Sequence, residues 1–186
     1  AGVAGNGQSE LLEVLAGIKR AEGEITINSK KFSLNSKNSN PRTRRHLGIS
    51  HVPEDRQKLG LVMDFYAWEN MALGYHRKDQ YGSNGIFINN SILKAKTEER
   101  IRKFDIRPNK STLLAKSFSG GNQQKIVLAR EIEQNPNILI VGQPTRGVDI
   151  GAIEFIHKRI IQLRDAGKAV ILISVELDEI LTLSDR

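Results

Sequence analysis

Apolar positions recur at two spacings along this chain, and the spacing changes from segment to segment. A glycine-rich turn at 2–7 is followed by Leu11, Leu12, Val14 and Leu15, which predict a helix over 9–16. Glu24-Ile25-Thr26-Ile27 alternates as a strand does, and Lys31-Phe32-Ser33-Leu34 is set to pair with it. A polar loop over 35–41 leads to a short helix over 41–46, with Pro41 at its start. The apolar run over 47–52 predicts a buried strand, stopped by Pro53.

The character then changes. Helices are expected over 68–73 and 90–104, separated by the turn Gly82-Ser83-Asn84-Gly85. The second carries Ile92, Leu93, Ala95, Ile101 and Phe104 on one apolar face. Beyond 116 the first pattern returns: helix 121–134, buried strand 138–141, helix 151–166, buried strand 169–173 and helix 176–183. The stripe on the second of these helices is Ile153, Ile156, Ile160 and Leu163. Alternating strands and helices predict an α/β fold with a mainly parallel sheet flanked by helices. The expected division is a core of 1–56 and 117–186 with a helical subdomain at 57–116.

Composition narrows the class. The chain has 186 residues, with 39% hydrophobic and 26% charged, which is enough for one domain with a core and an added subdomain. No apolar run approaches the ~20 residues that cross a bilayer. Cysteine is absent, so disulfides play no part. The net charge of +7 leaves two readings open: a basic surface without a dedicated partner, or clusters such as Arg42, Arg44 and Arg45 that meet an anionic one. Only 5% of residues are aromatic and none interleave these clusters, which argues against a stacking platform for nucleic acid. The chain opens inside a loop suited to phosphate and closes after a helix, so a fragment with a strand before Ala1 is expected.

Two glycine-rich turns carry chemistry. Gly2-Val3-Ala4-Gly5-Asn6-Gly7-Gln8-Ser9 fits the phosphate-loop pattern GxxxxGK[ST] at every fixed position except the Lys, which is Gln8. Its backbone N–H groups can cup phosphate oxygens at a helix start, and Ser9 offers a hydroxyl to Mg²⁺. Without the Lys, a charge-assisted bond corresponding to roughly a tenfold to hundredfold change in affinity is missing. The second turn, Ser119-Gly120-Gly121-Asn122-Gln123-Gln124-Lys125, opens another helix. By itself it is also a common capped helix start. Its place one helix before a buried strand and Pro144-Thr145-Arg146-Gly147-Val148-Asp149 makes it specific.

In order and spacing these motifs resemble an ATP-binding cassette (ABC) ATPase over the whole chain. Pro53-Glu54-Asp55-Arg56, Gly60-Leu61-Val62, Gly85-Ile86-Phe87-Ile88 and Gln143-Pro144-Thr145-Arg146-Gly147 are most similar to the second of two fused cassettes in importers of ribose, galactose and nucleosides. The resemblance implies ATP and Mg²⁺ as cofactors and Gly2, Gly5, Asn6, Gly7, Gln8, Ser9 and Glu10 as one set of nucleotide contacts. It implies a second set, Ser119, Gly120, Gly121, Gln123 and Asp149, facing nucleotide held by another cassette. It also places altered residues at catalytic positions. The acid that helps hold Mg²⁺ falls on Gly142, the catalytic Glu on Gln143, the switch His on Val175, and the Q-loop Gln near Glu54. An amide can orient water but cannot take its proton. The implied partners are a second ATPase domain, in the same polypeptide or a dimer, transmembrane permease subunits and, indirectly, an external binding protein; nucleic acid is not expected. The implied place is the cytoplasmic face of the membrane. The rival expectations are a non-catalytic nucleotide-binding module and a soluble ABC protein acting on nucleic acid.

Overall fold

The computed structural model describes residues 5–76 and 88–186. Gly2, the 82–85 turn and most of the 85–88 loop lie outside them. After helix α1 (Gln8–Leu15), strands β1 (Glu24–Ile27) and β2 (Lys30–Ser33) pair antiparallel, Ile25 opposite Phe32. Asn28 and Ser29 turn the hairpin with φ of 49° and 65°, the left-handed pair that suits the twist of two-residue hairpins. Helix α2 (Pro41–His46) is capped by the Asn40 side chain, which accepts from Thr43 N.

Among the described residues the main sheet has three parallel strands in the order β3 (Ile49–Val52), β4 (Ile138–Gly142), β5 (Ala169–Ile173). β4 is central, and its side chains alternate between two apolar clusters. Leu139 and Val141 pack with Ile126, Val127, Ile156 and Ile160 of α5 (Gly120–Ile132) and α6 (Ile150–Asp165). Ile140 packs with Leu12 and Ile49 on the α1 face. Helices thus cover both faces, as a parallel sheet requires. β5 differs from the expected buried strand. It is an edge, and Ile171 is 38% exposed, because among the described residues only β4 pairs with it.

Between β3 and α5 the chain is largely helical. Asp55 caps a five-residue π-helical turn (Arg56–Gly60) through Gln57 N and Lys58 N, a feature that periodicity did not predict. Helix α3 (Ala67–Asn70) is shorter than expected. Asn70, fully buried, instead ties the preceding loop by accepting from Val62 N and donating to Val62 O. Helix α4 (Asn90–Lys103) buries Leu93, Thr97, Arg100 and Ile101, while Ile92 points outward at 43% exposure. The expected stripe therefore holds at Leu93, Ile101 and Phe104, while Ile92 and Ala95 lie outside it. Thr97 tolerates burial because its hydroxyl donates to Leu93 O. α7 (Leu177–Leu183) is the last helix among the described residues. No helix among the described residues is long and apolar enough to cross a membrane.

Candidate nucleotide site

Parallel strands deliver their carboxyl ends to one edge, where α/β proteins place ligands. Here β3 runs into Pro53 and Glu54, β4 into Gly142 and Gln143, and β5 into Ser174 and Val175, beside the start of α1. Gly5 and Gly7 have φ of 89° and 92°, conformations that side chains resist, and they curl the loop so that its N–H groups point inward. The Gln8 side chain folds back into that curl. Its Oε1 accepts from Gly5 N at 3.1 Å and Asn6 N at 3.2 Å, a carbonyl oxygen where a phosphate oxygen is expected. Glu10 is exposed in the same first turn.

Ser9 faces Glu54. Its hydroxyl donates to Glu54 Oε2 at 2.7 Å. Gly142 lies on the same side of the sheet: a Cβ there would stand 2.6 Å from Glu54 Cγ. The sheet end therefore does present a carboxylate, but from the strand next to the expected one. Hydroxyl plus carboxylate is a donor set that suits Mg²⁺, which takes one or two carboxylates and completes its shell with nucleotide oxygens and water. Among the described residues no group of three His, Cys, Asp or Glu side chains is set to hold a metal.

Gln143 adopts φ 47°, rare for a residue with a side chain. Its N–H donates to Ile173 O at 2.7 Å, and its Oε1 accepts from Val175 N at 3.3 Å, which ties the ends of β4 and β5 together. The amide is thus bonded to backbone at the position expected for a switch His. Beside it opens a groove of about 650 Å³ lined by Gln143, Arg146, His157, Val175, Glu176 and Glu179. Glu179 is 4% exposed, and its Oε1 takes the Thr145 hydroxyl at 2.9 Å and His157 Nε2 at 3.0 Å.

The second turn forms a separate face. Ser119 caps α5, Gly120 and Gly121 follow, and Asp149 caps α6 through Ala152 N at 2.9 Å. The two caps are adjacent: a Cβ on Gly121 would stand 2.8 Å from Asp149 Oδ2, and one on Gly120 would stand 2.7 Å from Gly147 O. Only glycine lets these turns approach so closely. Arg56 holds them from outside, donating Nη1 to Arg146 O at 2.6 Å and Nη2 to Gly147 O at 3.1 Å. Burial holds its guanidinium below the usual pKa, and Arg146 adds to that, against Asp55. Gln123 is turned inward. It is 4% exposed and bonds Ala115 O, Phe118 O and the Gln57 amide, so it braces the approach to α5. Its neighbour Asn122 stands beside Ser119.

Of the site residues expected from sequence, Gly5–Ser9 gather beside Glu54 and Ser119–Gly121 beside Asp149, while Gln143 ties the ends of β4 and β5 and Gln123 is turned inward. Sequence reasoning missed the Ser9–Glu54 pair, the Arg56 clamp and Asn122. Glu54 and Gly142 are far apart in sequence and become neighbours only because β3 pairs with β4. The one available signal was polar residues placed just after apolar runs.

Known proteins agree with this architecture. A dimeric ATP-binding cassette, MJ0796, bound to ADP and Pi superposes with a TM-score of 0.74 at 23% identity, covering 95% of this chain and 73% of that one; at that identity the likeness speaks for the fold. The guanosine import ATP-binding protein NupO of Bacillus subtilis is 48% identical over the whole chain, which covers 36% of it. The nucleoside import ATP-binding protein NupA of Lactococcus lactis is 46% identical, with the same coverage of 100% and 36%. A ribose import ATP-binding protein, RbsA of Clostridium tetani, is 35% identical, again at 100% and 36%. The chain spans about a third of the length of these relatives. With a family model for ABC transporters matching residues 1–146, over the phosphate loop, the helix opened by Ser119 and the end of β4, the chain belongs to the ABC transporter family.

Proposed function

We propose that this chain is the second, degenerate nucleotide-binding domain of a two-cassette importer ATPase for nucleosides or simple sugars. Relatives named for guanosine, nucleoside and ribose import support the substrate class. Residues 1–56 and 117–186 form the ATP-binding core, and 57–116 the helical part that carries force toward permease subunits at the cytoplasmic face of the membrane. An external binding protein delivers the transported molecule.

One observation carries the assignment of roles. Gln8, Gly142, Gln143 and Val175 depart from catalytic residue types at one site, while Ser119-Gly120-Gly121 keeps a glycine-lined helix start with Ser119 exposed. The own-loop site then binds ATP and turns it over slowly. Gln8 releases the Gly5 and Asn6 N–H groups to phosphate oxygens, and Ser9 and Glu54 would hold Mg²⁺, which would supply charge neutralisation at the phosphates. Without a Lys and an acid base, phosphoryl transfer there lacks the groups that such chemistry requires. Ser119, Gly120 and Gly121 instead complete a productive site on ATP held by the partner cassette, where the hydroxyl and N–H groups stabilise charge on the transferring phosphoryl group. Asp149 and Gln143 belong to the face between the cassettes.

Ser119→Arg in the assembled two-cassette protein tests this. The bulky cation blocks the helix start, and ATPase activity is expected to fall at least tenfold with nucleotide binding retained. Activity near wild type removes the signature face from the productive site.

A further inference from the structure

We propose that Asn122 is a positioning residue that aims the Ser119 hydroxyl at its phosphoryl target. The inference rests on the reading that this face meets nucleotide held by a partner cassette.

The argument is one of valences. A serine hydroxyl has two acceptor lone pairs and one proton. Ser119 Oγ accepts from Asn122 N at 3.4 Å, the cap of α5, and from Asn122 Nδ2 at 2.8 Å. With both lone pairs engaged by one residue, the proton is what remains, and Ser119 is exposed. The hydroxyl is thereby made a donor toward solvent, which is the polarity an anionic phosphoryl oxygen needs.

The amide can face only one way. Arg107 N lies 2.7 Å from Asn122 Oδ1, and a backbone N–H can only donate, so the oxygen must face Arg107 and the NH₂ must face Ser119. The Arg107 segment is fixed in turn. Arg107 Nε donates to Asp105 Oδ1 at 2.8 Å, and Lys125 of α5 donates to Asp105 O at 3.0 Å. Arg107 and, to a lesser extent, Lys125 hold the Asp105 carboxyl below its usual pKa. Lys125, one turn along the same helix, therefore supports the loop that orients Asn122, which orients Ser119. This gives the run from Ser119 to Lys125 a reason to act as a unit: its outer end touches the ligand and its inner residues set the direction of one proton.

The test is a mutant cycle in the assembled two-cassette protein, read as kcat and KM for ATP. The variants are Asn122→Ala, Ser119→Gly and the double. Asn122→Ala keeps the backbone N–H that caps the helix, and glycine caps nearly as well as serine, so the fold survives each change. Melting curves check that. Asn122→Ala is expected to lower kcat about threefold to tenfold, the change that one neutral hydrogen bond supports, with KM within about twofold. The double variant is expected to be no slower than the slower single. Multiplying losses in the double, or Asn122→Ala at wild-type kcat beside an impaired Ser119→Gly, overturns the positioning role alone. Ser119→Gly at wild-type kcat overturns the reading of the face itself, and this inference with it.

Discussion

Glu54 and Gly142 compete for one space at the end of the sheet. A Cβ on Gly142 would stand 2.6 Å from Glu54 Cγ, and Leu12 Cδ1 closes the other side. Restoring the missing acid by Gly142→Asp therefore overpacks the site, at a cost of about 1–3 kcal/mol in urea unfolding. Adding Glu54→Ala is expected to return part of that stability, since Leu12 still crowds the position. Spectra of bound Mn²⁺ with nucleotide supply the second measurement: Glu54→Ala weakens cation binding, and the double variant restores it. Equal stability of Gly142→Asp and wild type would show that the shared space is not limiting.

Gln8 occupies its own phosphate loop, so it opposes the ligand it is expected to help. Gln8→Ala frees the N–H groups of Gly5 and Asn6, which a phosphate oxygen can then take without first displacing an amide. Nucleotide affinity is expected to rise by about threefold to tenfold, the equivalent of one neutral hydrogen bond no longer broken. Gln8→Lys adds a cation and is expected to gain more. Turnover of the assembled ATPase is expected to change only modestly. Titration of a fluorescent ATP analogue measures the first effect; weaker binding by Gln8→Ala would mean that the amide contributes to the bound state.

The elements were legible because each follows from a local pattern. β4 is a run of branched residues, and α6 shows its stripe at Ile156, Ile160 and Leu163, so both emerged within a residue or two. The half-burial of β5 was not legible, because whether a strand is an edge depends on its neighbours and not on its own apolar content. α4 was misjudged at Ile92 because buried Thr97 and Arg100 share its inner face, and polarity alone placed them outside. At the site, glycine turns announced themselves through spacing. Pairs such as Ser9 with Glu54, 45 positions apart, did not, because strand order is what brings them together. Gln123 had the residue type of a ligand contact, yet its carbonyl partners point inward.

Arg56 links two turns that share no secondary structure. Its guanidinium donates to the carbonyls of Arg146 and Gly147 and lies against Gly120. Lysine carries the charge but not the fork, so it cannot serve both carbonyls. Arg56→Lys is expected to cost roughly 1–3 kcal/mol in denaturant, the range for hydrogen bonds to a charged group. Amide exchange should localise the effect: faster exchange at 145–149 and at the start of α5, with β4 unchanged. A uniform loss across the domain would mean that Arg56 supports the core and not the turns.

His51 makes the domain sensitive to mild acid. Burial pushes its pKa down from 6.5 to about 4; nearby Glu131 acts the other way, and Arg130 and Arg45 add to the lowering. The folded state thus holds the ring neutral while the unfolded chain takes a proton near 6.5. The stabilisation is complete above that value and is lost as pH falls from about 6.5 toward about 4, by roughly 2–3 kcal/mol across the window. His51→Gln cannot titrate there. Urea midpoints measured at pH 7, 5.5 and 4.5 should fall less steeply for this variant than for wild type, with the difference confined to that interval. Parallel pH profiles for the two proteins would remove His51 as the source of acid sensitivity and leave the carboxylates to account for it.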